Sequence, residues 1–203
     1  MTRLPTEVRR KQIAEAALTI IARDGVRRFT AASISREVGL AEGTIFRHFT
    51  DKRDIIGAAI HFLDGLMFPA DAPAPPPAPL AELRSFLAAR VALLRAHPGY
   101  LRVLFSNEIG QAAPEGAFDL LGSLRQRSVS TIMSCLRRAQ QAGDVRADLP
   151  IETLFLVIHG MLLSQVFSGP QLERQLGFCA DFDSMWQGIE RLMVVAPGAA
   201  PTA

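Results

Sequence analysis

The 203-residue sequence is poor in cysteine and in two of the aromatic residues, with two cysteines, one tryptophan and one tyrosine. Cys135 and Cys179 are too few and too far apart to frame a disulfide scaffold or a paired-cysteine zinc site, and we expect both to be small buried hydrophobic side chains. The four histidines are scattered at positions 48, 61, 97 and 159, and they form no metal-binding or acid–base motif. The composition therefore indicates no metal and no cofactor.

Long apolar runs are also missing. The longest one, Leu154–Phe167, contains His159 and Gln165 and is shorter than the ~18 residues that a membrane span needs. An apolar stretch near the N-terminus is interrupted by Glu15, which is not the pattern of a secretion signal. We expect a soluble, cytoplasmic protein with no membrane segment.

The net charge of +2 conceals an uneven distribution. Residues 1–60 hold 11 basic and 7 acidic side chains, a net of +4, whereas the rest of the chain has a net of −2. Six prolines crowd the boundary within residues 67–79. Because proline removes a backbone donor and disfavours helix in the residue before it, we expect a stiff, extended connector there. The predicted organisation is a basic domain over 6–66, this connector, and a larger apolar domain over 80–196.

Helical periodicity covers most of the sequence, and alternating strand patterns bounded by tight turns are absent. We predict an all-α fold of about nine helices. The first begins at a cap, Thr6, and ends near Gly25, and the fourth opens with Asp51 in its first turn. The residues expected on the buried faces of these two helices are Ile13, Ala17, Ile20, Ile21, Ile55, Ile56, Ala59, Leu63 and Leu66. Later helices are expected over 80–96, 98–110, 114–142 and 150–168, and from a cap at Asp181 or Asp183 to Val195.

Residues 29–49 have the pattern of two short helices joined by a glycine turn. Thr30 is a good N-cap for the first helix, and Gly39 stands where that helix must stop and the chain reverse. The residues expected to face inward are Ile34, Val38, Leu40, Ile45 and Phe49. Those left mostly outward are Glu42, Gly43, Thr44, Arg47 and His48. This is the form of a helix-turn-helix, whose second helix enters the DNA major groove.

The run from Thr30 to Phe49, preceded by a helix ending at Gly25 and followed by Lys52 and an apolar helix, resembles the tetracycline-repressor (TetR) family of transcription regulators. The resemblance covers about the first third of the chain, and beyond it only the length and the helical layout agree. It implies an N-terminal three-helix helix-turn-helix DNA-binding domain and a C-terminal helical domain for ligand binding and dimerisation. The implied function is a ligand-responsive regulator, a repressor rather than an activator, that binds a palindromic operator on double-stranded DNA and is released by a small-molecule inducer.

The resemblance also implies roles for single residues. Thr30, His48 and Lys52 fall where family members contact phosphates, although His48 could instead pack beside Phe49. The positions that approach base edges and adjacent phosphates are Glu42, Gly43, Thr44 and Phe46. Arg47 is the candidate for bidentate guanine reading, with a phosphate or solvent contact as the alternative. The arginines expected to give only general attraction to DNA are Arg9, Arg10, Arg27 and Arg28.

Two positions depart from the family pattern. Ala41 stands where a capping serine is usual, and Phe46 where tyrosine is usual. Without the hydroxyl, Phe46 is left to contact a thymine methyl group or a sugar. Glu42 is acidic and can only accept, for example from a cytosine amino group, or it must swing aside. These departures also suggest an alternative function, a helical small-molecule-binding or scaffold protein that has lost DNA binding.

The apolar domain is expected to pair two chains and to hold the ligand. The helix over 150–168 is apolar nearly all round, so it must be covered on both sides. With the final helix it could form a four-helix bundle across a two-fold axis, or it could be central in a monomer core. The candidate ligand residues are Tyr100, Glu108, Met133 and His159, and the ligand is expected to be apolar or aromatic. If the Glu108 carboxylate points inward, Arg102, Arg125 or a cationic ligand could pair with it; it could instead form an internal salt bridge or lie at the rim. His159 could be an ordinary core or interface histidine.

An enzyme is the least favoured alternative. The sequence has no G-x-S-x-G nucleophile motif and no H-E-x-x-H metal motif. The glycine-containing stretch from Gly39 to Thr44 lacks the lysine and the spacing of a phosphate-binding loop. We therefore expect a protein that is not an enzyme.

Overall fold

The structure is a computed structural model that describes residues 5–71, 74, 78–167, 174–175, 177 and 181–194. Within these residues there is no strand, and ten α-helices have defined bounds, so the predicted all-α fold is confirmed. A 3₁₀ turn at Val26–Arg28 follows the first helix. The helices are α1 (Thr6–Asp24), α2 (Ala31–Val38), α3 (Glu42–Ile45), α4 (Lys52–Met67), α5 (Pro79–Ala96), α6 (Gly99–Phe105), α7 (Asn107–Ala112), α8 (Glu115–Ala142), α9 (Ile151–Phe167) and α10 (Phe182–Met193). Cys179, part of the proline connector and the C-terminal tail lie outside the described residues.

The helix starts differ in detail from the prediction. Thr6 is the first helical residue of α1 and Pro5 occupies the N-cap without a side-chain hydrogen bond, so the prediction that Thr6 caps the helix is wrong. Asp51 precedes α4 and caps it by accepting the Asp54 N–H at 2.8 Å, instead of lying in its first turn. Its short carboxylate thereby pairs a backbone donor that the helix leaves without an internal partner.

Residues 98–110 form two helices where one was predicted. The chain leaves helical geometry at Ser106, with φ −84° and ψ 120°, and the Ser106 hydroxyl accepts the Ile109 N–H at 3.3 Å. Serine competes with the helix in this way because its short side chain bonds neighbouring backbone groups. The break between α6 and α7 accounts for the tenth helix.

By their contacts the helices fall into two compact units. The N-terminal unit comprises residues 1–72 and 97–126, and the C-terminal unit comprises 73–96 and 127–203, as far as they are described. In the N-terminal unit, α1 is central and packs against α2, α4 and α6. The predicted apolar face of α1 is confirmed, because Ile13, Ala17, Ile20 and Ile21 are all 2% exposed or less.

Helix α4 buries the predicted stripe with one exception. Ile55, Ile56, Ala59 and Leu63 lie in the core, but Leu66 is 36% exposed, so the prediction that it turns inward is wrong. Met67 is buried in its place. It follows Leu63 by four residues, which keeps it on the same helix face.

The C-terminal unit has its own apolar core. Helices α9 and α10 pack against α5 and against each other. Cys135 is buried in this core, as expected for a small hydrophobic side chain. Asp181 caps α10 by accepting the Ser184 N–H at 2.9 Å, and the hydrogen bond from the Ser184 side chain lowers the pKa of its carboxyl group. Other core members are Leu83, Leu87, Ile132, Leu136, Leu154, Ile158 and Trp186.

Candidate nucleic-acid interface

Helix α2 starts at a reciprocal cap. The Ser33 N–H donates to Thr30 Oγ1 at 3.1 Å, and the Thr30 N–H donates to Ser33 Oγ at 2.9 Å. Two backbone donors at the helix start are therefore paired within one turn, which fixes where α2 begins. Thr30 remains at the surface, so its side chain is available beside the N-terminus of α2.

The turn after α2 is set by Gly39. This residue has φ 68° and ψ 33°, a left-handed conformation that glycine adopts at little cost. The next N–H, that of Leu40, donates to the Ser35 carbonyl at 3.1 Å, and the Ser35 hydroxyl donates to the Leu40 carbonyl. The predicted reversal at Gly39 is confirmed. Leu40 and Val38 are half-buried, so Leu40 returns only partly to the core.

Helix α3 is one turn long and is held by two buried side chains. Ile45 is fully buried and Phe49 is 2% exposed, as predicted. Ala41 occupies the N-cap without a side-chain hydrogen bond, which is the consequence expected of alanine there. The side chains presented to solvent are Glu42, Phe46 and Arg47, Gly43 is exposed with them, and Thr44 and His48 are half-buried. The structure thus brings these six predicted contact residues together along a single turn and the residues that follow it.

Lys52 lies beside the start of α2. Its ammonium nitrogen is 5.4 Å from the centre of the Phe29 ring, and Phe29 directly precedes the cap residue Thr30. Lys52 is itself the first residue of α4 and is exposed. Two of the predicted phosphate contacts, Thr30 and Lys52, therefore border the same aromatic side chain, each at the positive end of a helix.

Arg10 has a structural role that the sequence prediction did not assign to it. Its guanidinium donates to the His48 carbonyl, lies 3.5 Å from Asp54 Oδ1, and stacks 4.2 Å from the centre of the Phe49 ring. It therefore ties α1 to α4 and to the end of the recognition segment, which comprises residues 42–49, that is, α3 and the residues that follow it. One signal was present in the sequence, since Arg10 precedes Ile13 by three residues and so shares the buried face of α1.

Two of the candidate ligand residues belong to the N-terminal unit. Tyr100 is 3% exposed and stacks on His97, with ring centres 4.6 Å apart, and burial together with nearby Glu15 raises its pKa. Glu108 lies at the surface, and its carboxylate is 3.0 Å from the guanidinium of Arg27. An inward carboxylate paired with Arg102 or Arg125 is therefore wrong for Glu108, whereas the alternative of a rim position agrees with its place at the surface. Because Ser106 restarts the helix, Glu108 does not continue the apolar face of α6.

The other two candidates belong to the C-terminal unit. Met133 on α8 is half-buried, as is His159 on α9. His159 stacks on Phe155 with ring centres 5.3 Å apart. The compact units therefore divide the four candidates into two pairs.

Arg90 on α5 was not singled out in the sequence, yet it is 5% exposed. Its guanidinium carbon lies 4.6 Å from the centre of the Phe86 ring. Burial, with a smaller contribution from Arg127, lowers its pKa to about 10. Helical periodicity predicts burial only for apolar residues, so it does not identify a cationic side chain on the buried face.

Open grooves occur in both units. In the C-terminal unit a groove of about 680 Å³ runs past Leu80, Arg84, Asp144, Trp186 and Glu190. In the N-terminal unit Tyr100 and His97 line a smaller groove of about 390 Å³. The described part of the chain contains no group of three or more histidine, cysteine, aspartate or glutamate side chains arranged to hold a metal ion. None of the helices described is both long enough and apolar enough to span a membrane.

A helix-turn-helix with an outward polar turn, carried by a basic stretch of chain and followed by a separate helical unit, defines the class of DNA-binding transcriptional regulators. Within that class, residues 13–59 match the family model of bacterial regulatory proteins, tetR family. The N-terminal part of the chain is therefore similar to that family.

Individual proteins to which the chain is similar are also regulators or DNA-associated factors by name. The chain is 26% identical over 175 residues to the HTH-type transcriptional regulator SrpR of Pseudomonas putida, covering 83% of this chain and 78% of that protein. It is 33% identical over 60 residues to the nucleoid occlusion factor SlmA of Marinobacter nauticus, covering 30% of this chain and only 31% of that factor. Among solved structures, a transcriptional regulator from Saccharomonospora viridis in complex with choline has the same fold, with a TM-score of 0.67 at 21% identity over 94% of this chain and all of that one.

Proposed function

We propose that the protein is a ligand-responsive repressor that binds a palindromic operator as a homodimer and is released from it by a small-molecule inducer. The observation that supports this best is the α2–turn–α3 segment. Its buried anchors Ile45 and Phe49 hold a row of side chains outward in the arrangement that enters a major groove. Such a regulator acts on DNA in the cytoplasm, which is the location we propose for it.

The DNA contacts proposed for single residues follow from this geometry. Thr30, His48 and Lys52 contact phosphates, which position the protein without reading sequence. Arg47 reads guanine, because a guanidinium can donate twice to the O6 and N7 atoms of that base. Glu42, Gly43, Thr44 and Phe46 approach base edges and adjacent phosphates.

Fluorescence anisotropy with the full chain tests this assignment on DNA from the region upstream of its own gene and on random duplex. We expect a preference for the upstream DNA at moderate salt. Arg47→Ala should reduce that preference, whereas Lys52→Ala should weaken binding to all sequences and lower the salt slope by about one. Equal binding of the upstream and random duplexes by the unaltered protein would show that the repressor assignment is wrong.

The dimer is proposed to form through α9 and α10. Leu156 and Val157 on α9 are 66% and 46% exposed, and Leu192 on α10 is 68% exposed. Gly160 and Gly188, on the same two helices, have open space around them, so a second helix could approach closely. A two-fold dimer would place two recognition segments about one DNA turn apart, as a palindromic operator requires.

The inducer is proposed to be an apolar or aromatic molecule. Met133 and His159 are its candidate contacts in the C-terminal unit, and Tyr100 is a separate candidate in the N-terminal unit. The ligand of the S. viridis regulator, choline, supports the idea that this fold holds small molecules. Glu108 is left out because it is paired with Arg27 at the surface. A ligand that binds better when the two recognition segments are spaced wrongly for the operator would lower DNA affinity by linkage. A thermal-shift screen of apolar and aromatic compounds, followed by release from operator DNA, tests this part.

A further inference from the structure

Glu42 and Phe46 stand at the two ends of the single turn of α3. The Phe46 N–H donates to the Glu42 carbonyl at 3.3 Å, and Phe46 keeps helical geometry with φ −74° and ψ 0°. Residues four apart on a helix share a face, with their Cβ atoms about 5–6 Å apart. Both side chains are exposed, Phe46 by 47%, although phenylalanine is usually buried.

The chemistry of each side chain restricts what it can read in a major groove. A carboxylate only accepts hydrogen bonds, so Glu42 needs an amino group of cytosine or adenine. Adenine carries the acceptor N7 beside its amino group, which repels a carboxylate, and cytosine does not. The Phe46 ring has no donor or acceptor of its own, and the apolar group that a major groove offers it is the methyl of thymine.

The separation of the two residues lies between one and two base-pair steps. Successive base pairs are 3.4 Å apart along B-DNA, so side chains that start about 5–6 Å apart on one face can converge on neighbouring pairs. We propose that Glu42 and Phe46 together read two adjacent base pairs in each half-site, with Glu42 accepting from a cytosine amino group and Phe46 contacting the methyl group of the neighbouring thymine. This proposal rests on the proposed operator binding and specifies part of the operator sequence.

Selection of bound duplexes from a randomised library tests the proposal with the full chain. The unaltered protein should select half-sites that contain a C·G pair next to a T·A pair. Glu42→Gln should change the selected cytosine to adenine, because an amide pairs with adenine at two points, and Phe46→Ala should lose the preference only at the neighbouring pair. Matched controls are Glu37→Gln, which removes the same charge on α2, and Phe118→Ala, which removes a ring that is 48% exposed elsewhere. Both controls should keep the original half-site.

A second measurement isolates the methyl group. Replacing the selected thymine by deoxyuridine removes only that methyl, and should weaken binding of the unaltered protein about fourfold while leaving Phe46→Ala unaffected. The proposal is overturned if Glu42→Gln still selects cytosine, or if deoxyuridine binds as well as thymine. If the unaltered protein selects a palindrome and the variants select the same one, only this base assignment fails. If it selects no sequence, operator binding fails with it.

Discussion

Single side chains decide how firmly the recognition segment is held. Arg10 contacts the His48 carbonyl, the Asp54 carboxylate and the Phe49 ring at once, so one residue of α1 links the residues that follow α3 to α4. The ion pair is about one-third exposed on both sides, which limits its electrostatic contribution. Its main effect is therefore to position His48 and the residues before it.

Replacing Arg10 should weaken specific DNA binding more than the loss of one charge explains. We expect Arg10→Met to cost about 1 kcal/mol of unfolding free energy and to lower affinity for operator DNA more than for random duplex. Lys11→Met, the same charge change at an exposed neighbour, should weaken both duplexes equally. Anisotropy titrations at several salt concentrations and urea unfolding provide the measurements. If Arg10→Met lowered the affinities for operator and random DNA by the same factors as Lys11→Met, a positioning role for Arg10 would be excluded.

The titration of Tyr100 gives a second test at a single residue. Burial raises its pKa, so between the unfolded and folded values the unfolded chain loses a proton that the folded chain keeps. The tyrosine contribution to stability is thus fully present below about pH 10 and is lost as the pH rises further. The chain has one tyrosine, so Tyr100→Phe should remove this pH dependence of the stability. The unfolding free energy of Tyr100→Phe, relative to the unaltered protein, should rise between pH 9 and pH 11 in urea titrations. If the difference in unfolding free energy between the two proteins did not change with pH, the raised pKa of Tyr100 would be contradicted.

At the scale of helices, the contact between α1 and α6 depends on a glycine. A Cβ atom placed on Gly99 would lie 2.5 Å from the Ala22 carbonyl oxygen and 2.8 Å from its carbon. Any side chain there would force the start of α6 away from the C-terminal part of α1. Arg102, one turn later, donates to the Arg23 carbonyl at 3.2 Å and reinforces the same contact.

Gly99→Ala should therefore destabilise the protein by about 1–3 kcal/mol, the usual cost of overpacking. Gly65→Ala is the matched control, because a Cβ on Gly65 meets no atom within 4 Å. Alanine in the interior of α4 should even stabilise by roughly 0.5–1 kcal/mol. Urea unfolding of both variants measures the difference. If Gly99→Ala proved as stable as Gly65→Ala, the close contact between α6 and α1 would not exist in solution.

At the scale of the whole molecule, the exposed apolar side chains of α9 and α10 predict the assembly. Leu156→Glu and Leu192→Glu should each convert the proposed dimer to a monomer, because a carboxylate would have to be buried between the chains. Loss of the dimer should lower the affinity for operator DNA, while the helical content stays unchanged. Phe118→Glu places the same charge on an exposed apolar residue of the N-terminal unit and should leave the oligomeric state intact. Light scattering after gel filtration and circular dichroism measure these outcomes; a monomeric unaltered protein would refute the dimer.

The division of the chain into units is also a property of the whole molecule. The predicted domains follow the chain order, 6–66 and 80–196, whereas residues 97–126 cluster with the first four helices. The functional division between DNA binding and ligand binding stays a prediction. Helices α6 and α7, with Tyr100 on α6, pack with the first four helices, which include the helix-turn-helix.

Much of this protein could be read from its sequence because the relevant interactions are local. The cap at Thr30, the reversal at Gly39 and the anchors Ile45 and Phe49 each depend on residues within a few positions of one another. The same holds for most helix bounds, and the errors at Thr6 and Leu66 amount to about one position. The helix-turn-helix and the family resemblance follow from this short-range order.

Contacts between distant residues could not be read in the same way. Arg10 donates to the carbonyl of His48, which lies 38 positions along the chain. Arg27 forms a salt bridge with Glu108, which is also distant in sequence. Such partners are chosen by how helices pack, and helical periodicity states only which face is buried, not against what. For the same reason the buried guanidinium of Arg90 and the place of Tyr100 beside α1 emerged only from the folded chain.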